Sequence, residues 1–239
     1  MRVVIFLLTF INLIFFTSSI VWSNDLQKIF EDCEKGDCTA FFTLLLNNAE
    51  QGDVEAQFGV ASFYRDGKGT IQNYEEAIKW FKIAAEQGFA PSQFNLGVAY
   101  SKGIGIEQDK KEAVKWYQLS AEQGDVQAQF NLAFMFKRGE GVEQSFEQTL
   151  KYYRLSAEQG FAESQRNLGM MYYEGEGVTQ NYEEAYKWTY LAFINDDKNK
   201  NIQDNLDFFA NNLTQAQIDK TQKILIAHIK IIYLKTTFL

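Results

Sequence analysis

The four residues Ala-Glu-Gln-Gly begin at Ala49, Ala85, Ala121 and Ala157, so each start lies 36 residues after the last. The likeness runs through the whole period. Gln57, Gln93, Gln129 and Gln165 recur, as do Val60, Leu96, Leu132 and Leu168. Gly67, Gly103, Gly139 and Gly175 recur too, each with a second Gly two positions on. Lys79, Lys115, Lys151 and Lys187 each precede a large ring, in Trp80, Trp116, Tyr152 and Trp188. A period of this length means an array of one supersecondary unit, and it sets the fold before any single residue is considered. Four periods cover 49–84, 85–120, 121–156 and 157–192, with a shortened unit at 24–48 and a helical closing cap at 193–239.

Each period reads as two helices. The first covers roughly 54–64, where Ala56, Val60 and Tyr64 recur at a spacing of four and make an apolar stripe. A Gly-x-Gly loop ends it, since glycine accepts the left-handed conformation that closes helices. The second helix opens at Asn73, Asp109, Ser145 and Asn181, all good N-caps. Glu76, Glu112, Gln148 and Glu184 stand three residues later, the spacing of a capping box. Ala77, Trp80, Phe81 and Ala84 then share one face, and the helix stops before Gly88, Gly124 and Gly160 in successive units.

One helix pair cannot bury these stripes alone; stacked neighbours can. The Trp/Tyr column is therefore read as inter-helix core, each buried ring contributing about 1.5–3 kcal/mol of transfer free energy. At the leading end, Leu26–Cys33 and Cys38–Asn48 read as a helix pair with Phe41, Leu44 and Leu45 on its core stripe. At the other end, Thr214 and Gln217 have cap-box spacing. Ile218, Thr221, Ile224, Leu225 and His228 follow at helical spacing, ahead of an apolar end from Ile229 to Leu239.

Composition agrees with an all-α chain and narrows its partners. A single proline, Pro91, suits a chain made mostly of helix, and 46% hydrophobic residues are ample for a core. The formal net charge of −8 and the absence of a Lys/Arg-rich run argue against nucleic acid and against anionic lipid. At the N-terminus, Arg2 precedes a mostly apolar run from Val3 to Phe16, then Thr17, Ser18 and Ser19. Residues 1–23 read as a signal peptide cleaved before Asn24, the alternative being an uncleaved anchor. Either reading places the body of the chain outside the cytoplasm, periplasmic or secreted.

The repeat resembles the Sel-1-like repeat of the tetratricopeptide-like superfamily. Ala-Glu-Gln-Gly-Asp at 49–53 and 121–125 and Asn-Leu-Gly at 95–97 and 167–169 carry the resemblance. So do Gly-x-Gly-Val at 139–142 and 175–178 and Ala-x-Lys-Trp at 77–80, 113–116 and 185–188. Residues 213–225 look like the capping helix that often ends such arrays. Arg166 departs from the pattern where an aromatic is usual, Gly59 where Asn is usual, and Thr149-Leu150 where Ala is usual. The resemblance implies a right-handed α-solenoid with a concave binding face, and an adaptor or scaffold role, often in exported bacterial proteins.

In that superfamily the first helix of each pair lines the concave face. Its side away from the core stripe carries Phe58, Ser62 and Arg65, then Phe94, Val98 and Ser101. The next units place Phe130, Phe134 and Lys137, then Arg166, Met170 and Tyr173. Steps of four and three keep each trio on one side of a helix. The last two members vary between units, as a surface fitted to a ligand would, and as a drifting solvent face also would. The apolar Val98, Phe134 and Met170 favour a binding surface, suited to a helix or extended peptide.

No catalytic constellation is found. The single histidine, His228, would have to serve any zinc site or Ser-His-Asp triad. His-Glu-x-x-His, Gly-x-Ser-x-Gly and Ser-x-x-Lys are all absent, and the Gly-x-Gly loops lack the Gly-Lys-Ser/Thr of a phosphate loop. No cofactor or metal is expected. Cys33 and Cys38 flank a four-residue stretch, and export would favour a disulfide between them over two free thiols or an intermolecular bond. The leading expectation is an exported, non-enzymatic scaffold that binds a protein or peptide. Its rivals are an envelope enzyme, or a β-lactam- or cell-wall-binding protein like some disulfide-rich exported relatives.

Overall fold

The computed structural model of the chain describes residues 24–195, 200–223 and 225. The expected signal segment 1–23, His228 and the apolar end 229–239 lie outside them. The described residues are helices, turns and loops, with no strand among them. None of these helices is long and apolar enough to cross a membrane. The architecture is an all-α solenoid of helix pairs. The described backbone falls into two compact units, divided between Asn73 and Tyr74.

The first unit holds α1 (Asn24–Glu34), α2 (Thr39–Glu50) and α3 (Val54–Asp66). A disulfide joins Cys33 at the end of α1 to Cys38 just before α2, with the two Cα atoms 4.0 Å apart. Phe41 and Phe42 are both buried, while Leu44 and Leu45 are only half-buried. The expected core stripe of α2 is thus rotated by one residue. Its cause is a ring cluster: Phe41 and Phe42 lie 5.6 and 6.2 Å from Phe63 of α3, and Phe42 lies 5.2 Å from Tyr64. Leu45 instead presses on Gly59, where an added Cβ would stand 3.2 Å from Leu45 Cδ1. A larger residue at this departure from the family pattern would push the end of the Leu45 side chain aside.

The second unit holds α4 (Tyr74–Glu86), α5 (Ala90–Lys102), α6 (Lys110–Glu122), α7 (Val126–Arg138) and α8 (Phe146–Glu158). It continues with α9 (Ala162–Glu174), α10 (Tyr182–Asn195) and α11 (Lys200–Ala210). Residues 215–223 are helical again. Each helix packs on the next in chain order. Helix α11 lies inside the closing segment and buries Ile202, Leu206 and Phe209.

The repeated polar residues hold the units together. Gln93, Gln129 and Gln165 are buried and donate to the carbonyls of Ala85, Ala121 and Ala157 at 3.2, 3.2 and 2.9 Å. Their side-chain oxygens accept from Gln123, Gln159 and Asn195 of the following second helix at 2.7, 2.9 and 3.0 Å. The Gln of Ala-Glu-Gln-Gly therefore ties one repeat to the one before it. This is why both columns of glutamine recur with the period: a buried amide left unpaired would cost about 1–3 kcal/mol.

The second-helix caps form as half boxes. Asp109 accepts from the amides of Lys111 and Glu112 at 2.8 and 3.1 Å, and Asn181 from Glu184 at 3.0 Å. Ser145 accepts from Gln148 at 3.3 Å. The reciprocal arm is not needed, because each cap's own amide donates elsewhere. Asp109, Ser145 and Asn181 donate to the carbonyls of Tyr100, Phe136 and Tyr172 on the preceding helix at 3.0, 3.1 and 2.9 Å. Glu112 and Glu184 are released to pair with Lys115 and Lys187. At Thr214 both arms are present: Gln217 accepts from the Thr214 amide at 2.9 Å and donates its own amide to the hydroxyl at 3.4 Å.

The Trp/Tyr column is not the innermost one. Tyr152 is buried, but Trp80, Trp116 and Trp188 are half-buried. The next residue in each unit, Phe81, Tyr117, Tyr153 and Thr189, points fully inward. An indole at the edge keeps its N–H near polar groups: Trp188 Nε1 donates to Glu184 at 3.1 Å.

Candidate functional site

The candidate surface is carried by the first helices α5, α7 and α9 of the second unit. The leading residue of each trio leans on the tyrosine of the following second helix. Phe94 lies 6.0 Å from the ring of Tyr117 on α6, and Phe130 lies 5.8 Å from Tyr153 on α8. Phe130 also meets Phe161 edge-on at 5.2 Å. These two phenylalanines are half-buried and serve packing as well as surface. Arg166 takes the place of the third, and its charge acts on the Tyr153 hydroxyl.

That hydroxyl is deeply placed. Burial pushes the Tyr153 phenol up to about 12, against the opposing hydrogen bond from Asn167 and the charges of Arg166 and Arg138. Burial likewise pushes Tyr117 up, opposed by hydrogen bonds to Ser101 and Asn131. Both are neutral rings that orient the first-helix face.

The middle residues differ in openness. Val98 and Met170 are half-buried and pack against the core. Phe134 is 37% exposed, with the Arg138 guanidinium 4.6 Å above its ring. The structure thus adds Arg138 to the candidate set. Its position four residues after Phe134 is the sequence signal for that pairing.

The last residues are engaged by neighbours. Lys137 pairs with Glu176 of the loop after α9, one repeat on, at 2.7 Å. Tyr173 sits among rings, 5.6 Å from Tyr182 and 5.1 and 4.8 Å from Phe208 and Phe209 of α11. Arg65, in the first unit, pairs with Asp66 at 2.8 Å. The open part of the surface therefore centres on Phe134, with Arg138 over it. Among the described residues no group of three or more His, Cys, Asp or Glu is arranged to hold a metal ion.

The sequence pattern of the Sel1 repeat family matches the chain at residues 54–89, 90–125, 126–161 and 162–197. The chain belongs to the Sel1 repeat family. The family pattern divides the same 36-residue period at the first residue of each first helix, so each match begins at the start of α3, α5, α7 or α9. Among solved structures, a protective antigen of uropathogenic Escherichia coli strains displaying this repeat fold is 36% identical, with a TM-score of 0.69. The alignment covers 72% of this chain and 37% of that one, so this chain spans well under half of that antigen's length. A Sel1 repeat protein from Oxalobacter formigenes is 31% identical over 75% of this chain and 73% of its own, also with a TM-score of 0.69. Comparison with curated proteins finds no match. Sel1 repeat proteins generally act as protein-interaction scaffolds and are typically not enzymes.

Proposed function

We propose that this protein is an exported scaffold whose first-helix face on α5, α7 and α9 binds a peptide or a folded protein segment. The observation that carries the reading is Phe134. It is a large ring left open on a face where the equivalent residues are Ser62, Val98 and Met170. A residue kept only for folding would be buried or would recur with the period, as Leu96, Leu132 and Leu168 do. Rings and arginines in such settings dominate binding energies in protein interfaces. The half-buried Phe94, Val98, Phe130 and Met170 extend the surface, and Arg138 with Arg166 supplies charge beside it.

Export is supported by the apolar run at Val3–Phe16 and by the disulfide, since such bonds persist outside the reducing cytosol. Intact mass after alkylation without reductant tests this part: uptake of two alkyl groups by native protein overturns it. The binding part is tested with the wild type and Phe134→Asp as baits for extracts of the source cell. Circular dichroism must first show equal helicity. Phe134 alone is chosen because Val98 and Met170 are packed, and charging them would disturb the fold. A protein retained by the wild type and lost by the variant supports the reading. Retention of the same proteins by both baits, or by neither, removes it.

A further inference from the structure

The second helices carry an apolar row that the first-helix face does not use. Ile83 on α4, Leu119 on α6 and Leu155 on α8 hold the same place in successive repeats, and they are 42%, 44% and 39% exposed. Their helices are tied together at the C-terminal ends. Gln123 donates to the carbonyl of Gly88 at 2.9 Å, and Gln159 to that of Gly124 at 3.2 Å. These glutamines stand one turn beyond Leu119 and Leu155, so the three aliphatic side chains form a row across three neighbouring helices. A lone exposed aliphatic residue is ordinary. Three at one repeat position are a surface.

Charged residues flank the row, with the exposed Lys82 and Arg154 beside Ile83 and Leu155 and Lys82 3.9 Å from Glu86. One turn before it stand Lys79, Lys115 and Lys151, and nearly one turn after it stand Glu86, Glu122 and Glu158, all exposed. The pattern stops at both ends. The equivalent residue one period earlier is Asn47, and one period later Leu191 is half-buried and followed at the glutamate place by Ile194.

We propose that this face pairs with the same face of a second copy of the chain, about a two-fold axis lying along the row. A residue on such an axis meets its own copy, so Ile83, Leu119 and Leu155 each pack against themselves, as isologous pairing requires. The same axis reverses the helix direction. The lysine row of each copy then meets the glutamate row of the other, with Lys115 facing Glu122. A second copy satisfies both rows at once, whereas an anionic surface would attract the lysines and repel the glutamates equally. The present partners of the lysines do not stand in the way. Lys79–Glu76 at 2.6 Å and Lys115–Glu112 are exposed pairs within one helix, worth little and readily exchanged. A 13-residue helix is about 20 Å long, and three of them about 10 Å apart offer a patch of roughly 400–600 Å² per copy. That is below the ~800 Å² per partner of stable complexes, so the dimer is reversible and concentration-dependent.

The test uses the full chain carrying Leu119→Cys and a short bis-maleimide linker, which leaves the Cys33–Cys38 bridge untouched. On the proposed axis this variant joins to itself and gives a dimer of the chain on a denaturing gel. The control Lys111→Cys, exposed at the start of α6 and off the axis, does not. Adding Lys115→Glu to Leu119→Cys weakens association about tenfold, because the axis presents the altered pair twice. Adding Glu122→Lys as well restores it. The proposal is overturned if Leu119→Cys yields only monomer, if it joins to a different protein, if Lys111→Cys dimerises equally, or if the charge exchange fails to restore the dimer.

Discussion

The two glycines of each Gly-x-Gly loop have different jobs, and the third repeat separates them cleanly. Gly139 has φ +67° and Gly141 φ +71°, so both are left-handed and either Gly→Ala change incurs the same local strain, about 1–2 kcal/mol. Around Gly139 an added Cβ would meet Gln144 Cβ at 3.5 Å, an ordinary contact. Around Gly141 it would fall on the main chain of Lys110, the first residue of α6 in the preceding repeat. That backbone is fixed by the Asp109 cap, and relieving the overlap means lifting the loop off α6. The joint then loses the Lys110–Glu140 ion pair at 3.1 Å and part of the packing beneath it. Overpacking of this kind costs a further ~1–3 kcal/mol. Gly141→Ala should therefore destabilise by about 2–5 kcal/mol and Gly139→Ala by about 1–2 kcal/mol. In urea, with m near 2 kcal/mol/M, the midpoint for Gly141→Ala should lie ~0.5–1.5 M below that for Gly139→Ala. Helical circular dichroism on both variants and the wild type makes the measurement. Equal midpoints would refute the assignment of the second glycine to the joint between repeats.

Asp125 caps α7 by accepting from the Ala128 amide at 2.7 Å, so Asp125→Ala should cost about 1 kcal/mol in urea unfolding. Phe161→Ala, at the equivalent position before α9 where no side-chain cap exists, should instead lose packing on Phe130 and show no cap effect. The Tyr153 phenol is raised from 10.0 to about 12, so an unfolded chain releases this proton before the native one does. Its contribution is complete below about pH 10 and is lost between about pH 10 and 12, at about 1.4 kcal/mol per unit. Urea midpoints across that range should fall less steeply for Tyr153→Phe than for the wild type.

Much of the fold was legible because the period made each residue its own control. A cap at Asn73 alone would be a weak signal; Asp109, Ser145 and Asn181 at the same place locate the second helices to the residue. What the pattern could not distinguish was adjacent positions on one helix. Trp80 and Phe81 are both large and apolar, and periodicity alone assigns both to the core. The structure puts Phe81 inside and leaves Trp80 at the edge, because an indole carries a donor that burial would strand. The same ambiguity rotated α2, where Phe42 rather than Leu45 meets Phe63. Helix α11 was expected only as part of a helical closing segment, without bounds of its own, for the opposite reason. It lies beyond the last period, where no column supports it, although Ile202, Leu206 and Phe209 have the four-and-three spacing of a buried face.

The candidate site was legible to a lesser degree, because departure from the period has more than one physical cause. Arg166, Met170 and Tyr173 all break the columns above them. Tyr173 does so to meet Phe208 and Phe209, since the last full repeat has no successor and α11 must be seated on it. Arg166 does so beside a buried phenol. Phe134, by contrast, breaks its column without gaining burial; its ring carries the Arg138 guanidinium instead, and that openness is what the proposed binding face rests on. Regularity carries the reverse lesson. Ile83, Leu119 and Leu155 recur like core residues, yet their side chains stand in solvent. Exposed polar residues such as Gln123 and Gln159 keep the period by tying neighbouring repeats, but these three aliphatic side chains have no such polar use, and the proposed pairing of two copies rests on that difference.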